Sequence, residues 1–500
     1  MLLTKHINQN YNKLILGGGF LRNLTMLMDY YELTMANGYF EKGLKDKIVV
    51  FDMFYRRNPD NGGFVVSAGL EQFIDYVQNM HFTDDDIEYL RSKKQFSEEF
   101  LDYLYSFKFT GTIEAIPEGT ICYPNTPIVT VTAPVIEAQL IETMLLLTIN
   151  FQSLIATKAS RICRAAGDAD SVVMEFGARR AHGPDAAILG ARAAYIGGVI
   201  ATATTIADEE YGIPATGTMA HSWIQFFDTE YEAFKAYAEV YPDKCTLLID
   251  TYDILKSGAV NAIRVAKEVL EPMGKRLNGV RIDSGDLAYF SKKLRKMFDN
   301  EGMQDCKIVV SNSVDEYLIR SLQKQGAKVD SYGVGERMIT SKSDPVFGGV
   351  YKLVAVLDDE GKYIPKIKIS ENIEKITNPG KKKLWRVFSK ETGYGLADLL
   401  TINDETVDVT EPYAYIDPLK PWKKMQFENV NIKELMVTIF KDGELVYKKP
   451  KLDEIREYVD YQLKNQVWEE EQRFENPHTH YVDLSPTLYK IKEDMLKKEY

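Results

Sequence analysis

Cysteine and histidine are scarce in this 500-residue chain, with four Cys, at 122, 163, 245 and 306, and six His. The cysteines are widely spaced and form no CxxC pair. That argues against a disulfide framework or a structural zinc site, and for a reduced, cytoplasmic setting. Basic charge is also short: 61 Lys and Arg face 73 Asp and Glu, for a net charge of −12. The chain therefore lacks the broad basic surface that nucleic acid or an anionic membrane requires, and any anionic ligand must be held by local basic groups. The longest charge-poor apolar stretch, 143–157, has 15 residues and is interrupted by Asn150 and Gln152. It falls short of the ~18–20 residues that cross a bilayer. Residues 1–24, with Gly17-Gly18-Gly19, have no uninterrupted apolar core before a small-residue cleavage site, so they read as an unassigned leader and not a signal peptide. Neither an internal repeat nor a low-complexity tract is found. Hydrophobic content of 45% and charged content of 27% exclude a disordered, collagenous or fibrous chain.

What is present is a change of rhythm. From 25 to 150 the pattern mixes helix and strand. The run 47–57 reads as a strand entering a basic turn, 82–92 as a helix with an Asp-rich first turn, and 107–134 as strands broken by Pro and Gly. A long helical pattern follows from 136 to 166. Over 151–345, β-rich runs (171–176, 214–219, 245–250, 279–283, 307–311, 329–335) alternate with helical ones (254–270, 286–300, 314–325), which predicts a parallel sheet, open or closed into a barrel. The region 346–500 carries further strands, a basic segment at 366–386 and a helical end.

Polar residues gather at the C-terminal end of each β-rich run of 151–345, the edge where α/β barrels hold their active sites. GVRIDSGDL (279–287) sets Arg281, Asp283 and Asp286 around a Ser284-Gly285 turn. Carboxylates there suit a sugar diol or hydrated Mg²⁺; the simpler reading is an Asx turn starting a helix. EFGARRAHGPDAA (175–187) presents Phe176 and two arginines, which fork onto phosphate or carboxylate or form ordinary ion pairs. SNSVDE (311–316) and YGVGER (332–337) are turns whose backbone N–H groups suit an anion, although a lone GxG is weak and is not GxGxxG. LLIDTYDILKSG (247–258) offers Asp250 and Asp253, and GTMAHSWIQ (217–225) places His221 after a β-rich run. The HTH at 478–480 reads as a surface loop, since no third metal ligand is near in sequence, and Lys381-Lys382-Lys383 as a solvated face open to an anion contact.

Together these segments resemble the nicotinate phosphoribosyltransferase family, of the bacterial kind, over about 29–485. DYYELTMANGYF, FYRRNP, SAGLEQ, EFGARRA, GTMAHS, DTYD, VRIDSGD, YGVGE and K-x-S-E…K-x-T-x-PG-K-K…R follow in the family's order. The chain departs after Tyr195-Ile196-Gly197-Gly198, where Ala203 and Thr204 stand in place of the family's Ser and Asn while Thr202 is kept.

The resemblance implies an irregular α/β barrel with an N-terminal α/β sandwich domain, closed by later segments, and C-terminal additions. It implies a homodimer with shared active sites. The implied enzyme joins nicotinate to 5-phosphoribosyl 1-diphosphate with coupled ATP hydrolysis and Mg²⁺, giving nicotinate mononucleotide, diphosphate, ADP and phosphate in NAD biosynthesis. By the same resemblance His221 is a phosphohistidine, and Asp250 and Asp283 hold ribose hydroxyls or hydrated Mg²⁺. Phe176 and Tyr31 of the partner subunit sandwich the pyridine ring. Arg281 meets its carboxylate, Arg179 and Arg56 meet phosphates, Ser311, Gly333 and Gly335 cradle the 5-phosphate, and Thr202 contributes a polar contact. The rival readings are a nicotinamide phosphoribosyltransferase, a quinolinate phosphoribosyltransferase (disfavoured by its much shorter chain) and a non-catalytic phosphosugar-binding relative.

Overall fold

The computed structural model describes residues 23–372, 375–408, 413–418, 422 and 424–498. All but the last two residues of the expected leader lie outside this set. The chain forms two compact units, one made of residues up to Leu154 and from Val346, the other of Ile155–Pro345.

The first unit opens with the helix Tyr30–Glu41 and the strand β1 (Ile48–Tyr55), followed by β2 (Val65–Val66), β3 (Thr112–Ala115), β4 (Ile121–Cys122) and β5 (Val129–Pro134). β1 is the apolar run IVVFDMFY, nearly all of it buried, as suits a central strand. The helix Asp84–Ser92 starts at Thr83, whose side chain accepts from the Asp86 N–H in a capping box, as the Asp-rich turn predicts. The long helical pattern becomes two helices, Val135–Leu140 and Glu142–Gly167. Together they are long and apolar enough to span a bilayer, a length that the interrupted run 143–157 had not suggested; most of their most apolar stretch is buried, as in a core helix.

The second unit is built on one parallel sheet. Its strands are β6 (Val172–Glu175), β7 (Ala201–Thr202), β8 (Thr246–Leu248), β9 (Gly279–Ile282), β10 (Lys307–Val310) and β11 (Ser331–Val334), in the order β7-β6-β11-β10-β9-β8. Sequential strands are neighbours and the last, β11, pairs with the first, β6. That is the cyclic order of an α/β barrel, left open at one seam between β7 and β8. The run 214–219, read from its composition as a strand, lies at this seam and is irregular. It makes a single bridge, Ala215 to Thr202, supported by backbone bonds from Thr202 N–H to Pro214 O and from Thr216 N–H to Thr202 O. Two Gly and a Pro at 212–217 deny it a ladder. The helix after β8 is held against the sheet at Gly258, where a side chain would collide with the Ile249 carbonyl oxygen.

Beyond Val346 the chain returns to the first unit with β12 (Gly349–Leu357), β13 (Tyr363–Pro365), β14 (Lys382–Ser389), β15 (Gly395–Ile402), β16 (Tyr413–Ile416), β17 (Lys424–Phe427), β18 (Val430–Glu434), β19 (Val437–Lys441), β20 (Glu444–Leu445) and β21 (Tyr481–Leu484). One sheet runs β13-β12-β1-β5-β3-β19-β20 and a second β17-β16-β21-β15-β14-β18.

Two sequence expectations fail here. Lys382 is not a solvated lysine: it is buried, 2.8 Å from Asp52 Oδ2, while Lys381 faces Glu114 and Lys383 faces Glu434. Nor is His480 a surface residue. It is buried, with Nδ1 2.8 Å from Glu471 Oε1 and Nε2 3.5 Å from Asp398 Oδ1. Asp52 and Asp398 come from distant strands, and local composition could not name them.

Candidate active site

The C-terminal edge of the parallel sheet brings most of the expected residues together. β8 ends at Leu248 and delivers Asp250, whose side chain is buried. Its Oδ2 accepts from the Asp283 N–H (2.8 Å) and the Ser284 hydroxyl (2.7 Å), so it fixes the turn that follows β9. Its Oδ1 is buried and has no hydrogen-bond partner. His221 begins a short helix, His221–Phe226, at the end of the irregular seam segment and not at the end of a strand. Its Nδ1 is 3.1 Å from Thr251 Oγ1, and its Nε2 is 4.0 Å from Asp250 Oδ1.

Around Arg281 a second network forms. Its Nε donates to Ser311 Oγ (2.9 Å) and its Nη1 to Thr218 Oγ1 (3.3 Å), while Nη2 lies 3.8 Å from Asp283 Oδ1. Ser311 Oγ in turn donates to Asp283 Oδ1 at 2.6 Å. The guanidinium carbon stands 5.4 Å from the centre of the Phe176 ring, a cation–π contact. Burial pushes the Arg281 pKa down against the pull of Asp283 and Asp250, and the nearby Arg179 cation pushes the same way. The Arg281 cation thus stands beside a half-buried aromatic ring within the electrostatic reach of a second guanidinium, an arrangement that an anionic planar ligand relieves.

Phe176 needs the glycines of YGVG. A side chain on Gly333 would come within 2.5 Å of the Phe176 ring, and one on Gly335 within 3.0 Å of the Phe176 carbonyl oxygen. Asn312 and Ser313, just after β10, both adopt left-handed φ, at 88° and 49°. Such strain in non-glycine residues concentrates at functional sites.

The simpler readings hold for two acids. Asp286 accepts from the Tyr289 N–H and caps the helix Leu287–Asn300; Asp253 accepts from the Leu255 and Lys256 N–H groups. Asp250 and Asp283 make no such cap. Thr202 is buried and donates to Glu175 Oε2 (2.7 Å); Thr204 Oγ1 reaches the same oxygen at 3.5 Å, and the Gly177 N–H bonds Oε1. Thr204 thus gives the departing turn a polar link to Glu175. Glu175 itself, a buried carboxylate whose pKa burial raises, escaped the sequence reading, as did Thr218 and Thr251. Their only signal was position beside the strand ends.

Tyr31 and Arg56 belong to the first unit. Tyr31 is 44% exposed on the helix Tyr30–Glu41, and burial, Glu142 and Glu32 raise its pKa; Glu142 also accepts its hydrogen bond. Arg56 follows β1, its guanidinium 5.6 Å from the centre of the Phe54 ring. Lys352 lies in the same electrostatic neighbourhood. Its pKa is lowered first by burial, then by the like charges of Lys368 and Arg56, while Glu142 opposes. Lys352 and Glu142 carried no local sequence motif, whereas Lys368 opens the K-x-S-E segment.

Comparison with known proteins gives this geometry its context. Models of the nicotinate phosphoribosyltransferase N-terminal domain, family and C-terminal domain match residues 26–150, 172–390 and 381–492. A nicotinate phosphoribosyltransferase of Bacillus subtilis is 44% identical over 472 residues, covering 94% of each chain. The chain belongs to the nicotinate phosphoribosyltransferase family. It is a phosphoribosyltransferase. The human family member is 30% identical over 93% of this chain and 95% of its own. The crystal structure of human nicotinic acid phosphoribosyltransferase superposes with a TM-score of 0.81 at 28% identity, covering 94% of this chain and all of that one. A nicotinate-nucleotide pyrophosphorylase from Pyrococcus furiosus matches at 0.68 and 25% identity, over 89% of this chain and 96% of that one. The family match spans both units, so the strand-end cluster and the Tyr31–Arg56 region both lie within nicotinate phosphoribosyltransferase sequence.

Proposed function

We infer that the chain joins nicotinate to 5-phosphoribosyl 1-diphosphate to give nicotinate mononucleotide and diphosphate, with ATP hydrolysis coupled through His221. The observation that carries this reading is the Arg281 guanidinium, fastened by Ser311, Thr218 and Asp283 over the Phe176 ring. A ring carrying a carboxylate fits there: the ring lies on Phe176 and the carboxylate meets Arg281. Asp283 and the bare Oδ1 of Asp250 suit ribose hydroxyls.

The pyridine nitrogen is already a nucleophile, so the protein's task is to hold it over C1 and to balance charge as the C1–O bond breaks. Arg179 and the Arg56–Lys352–Lys368 cluster suit phosphate oxygens. Among the described residues no group of three or more metal-ligating side chains occurs. Asp250, with its unpartnered buried oxygen, and Asp283 nevertheless suit a Mg²⁺ that keeps its water and binds chiefly through substrate phosphates. Such an ion would neutralise charge on the leaving diphosphate. The exposed ring of Tyr31 supports a homodimer in which Tyr31 of the partner subunit covers the pyridine.

The test is to incubate the pure protein with nicotinate, 5-phosphoribosyl 1-diphosphate and Mg²⁺, with and without ATP, and identify the product by mass. Nicotinate mononucleotide, formed faster with ATP, supports the reading. No mononucleotide, or product from nicotinamide alone, contradicts it.

A further inference from the structure

The loop carrying Arg56 is strained and is held from an unexpected direction. Asp60 and Asn61 have φ of 53° and 49°. Such left-handed non-glycine pairs persist only where the surroundings over-determine them. The loop is tied at its start by the Tyr55 hydroxyl, which donates to the Cys122 carbonyl (2.8 Å) and lies 3.0 Å from Asn58 Oδ1, and by Asn58 Nδ2, which donates to the Gly62 carbonyl (2.8 Å). It is pinned at its end by Gly63, where any side chain would meet the carbonyl oxygen of Glu471 at 2.0 Å.

Glu471 belongs to a buried charge cluster. Its Oε2 accepts from the Tyr123 hydroxyl at 2.7 Å and its Oε1 meets His480 Nδ1 at 2.8 Å. The His480 ring stacks on Tyr123, with centroids 3.6 Å apart and planes at 5°. On β14, Arg386 makes a two-pronged pair with Asp398 of β15 (2.7 and 2.9 Å) and lies 5.0 Å from the Tyr123 ring centre. Asp398 Oδ1 is also 3.5 Å from His480 Nε2. Two carboxylates thus flank the Arg386 guanidinium and the His480 ring among buried side chains, with Tyr55, Cys122, Tyr458 and Asp483 among the further ionisable groups near enough to act on them. Removing one member leaves an uncompensated charge, so the cluster resists partial loosening.

We propose that Glu471 and His480 are positioning residues: with Arg386 and Asp398 they form the rigid platform on which the 56–63 loop is set, and through that loop they fix the guanidinium of Arg56 for a phosphate of 5-phosphoribosyl 1-diphosphate. The proposal rests on the reading of Arg56 as a phosphate contact. It gives β14, β15 and the 466–480 segment a part in substrate binding through the placement of Arg56.

Steady-state kinetics on the full chain tests it with His480→Gln, Tyr123→Phe, Arg56→Ala and the Arg56→Ala/His480→Gln double variant. Small displacements of a positioned group cost large factors, so His480→Gln should raise KM for 5-phosphoribosyl 1-diphosphate about ten-fold. Both kcat and KM for nicotinate should stay within about two-fold, a split that general loosening of the fold does not produce. Tyr123→Phe, which removes the hydroxyl bond to Glu471 and keeps the ring, should shift the same KM less and lower the melting temperature less than His480→Gln; it carries the test if His480→Gln does not fold. In the Arg56→Ala background His480→Gln should add nothing. Folded His480→Gln and Tyr123→Phe with unchanged KM, or equal effects with and without Arg56, would overturn the platform. An unchanged KM in Arg56→Ala itself would overturn the reading of Arg56, and the proposal with it.

Discussion

His221 Nε2 stands 4.0 Å from Oδ1 of Asp250, the oxygen of that buried carboxylate left without a partner, while Nδ1 is 3.1 Å from Thr251 Oγ1. Held through Nδ1, the ring can present Nε2 as the nucleophile, and the adjacent carboxylate favours the positive charge that builds on the ring as a phosphoryl group is accepted. ATP should therefore leave an acid-labile, base-stable phosphate on His221. His221→Ala should lose ATP hydrolysis and ATP stimulation while a slow ATP-independent synthesis persists. A phosphate that maps to His182, or ATP stimulation surviving in His221→Ala, would remove His221 from this role.

Asp283 accepts from Ser311 and stands beside Arg281, yet caps no helix and is not deeply buried. Its charge is therefore free to serve ligand more than fold. Asp283→Asn keeps the shape and should lower kcat on the order of 10²-fold with little change in melting temperature. Circular dichroism melts alongside turnover at saturating Mg²⁺ check both halves of this expectation; normal turnover would refute it.

Gly333→Ala is a small change with a defined collision, since the new methyl would sit 2.5 Å from the Phe176 ring. The ring must rotate or shift off the strand. KM for nicotinate should rise while KM for 5-phosphoribosyl 1-diphosphate changes less. An equal rise in both would mean that Gly333 serves the phosphate and not the ring.

The pH dependence of stability should report on His480. Burial disfavours its charge, but the neighbouring carboxylates of Asp398 and Glu471 outweigh burial and raise its pKa above the ordinary 6.5. A raised folded-state pKa makes the imidazolium's contribution complete below pH ~6.5 and progressively lost as pH rises through the folded value. The melting-temperature gap between the native chain and His480→Gln should thus be widest near pH 6 and narrow toward alkaline pH. A gap that widened with pH would reverse the assigned protonation state.

Much of the site was legible because barrel chemistry collects at strand ends. Arg281, Asp283, Asp250 and Ser311 are all within two residues of a strand's last position, so reading runs and turns located them. Asp253 and Asp286 look the same in sequence and proved to be helix caps; which acid caps is decided by where the next helix begins. Glu175 was missed because its hydroxyl partners, Thr202 and Thr204, become neighbours only once β6 and β7 pair. Lys382 and His480 were misread because a charge run or a lone His is judged by local composition, while Asp52 and Asp398 arrive from distant strands. The run 214–219 has strand-like composition, but its glycines and the open barrel seam leave it one bridge.

The selectivity constant for the two pyridine substrates tests the account most directly. Arg281 is a partly buried cation over the Phe176 ring, so it should discriminate a ring carboxylate from a ring amide by a charge-assisted hydrogen bond. Such a bond contributes roughly 1.5–3 kcal/mol, about one to two decades in rate. Side-by-side measurement of kcat/KM at saturating 5-phosphoribosyl 1-diphosphate, Mg²⁺ and ATP should favour nicotinate over nicotinamide by at least that factor. Equal values for the two rings would contradict the assignment of Arg281 and of the ring-acid substrate.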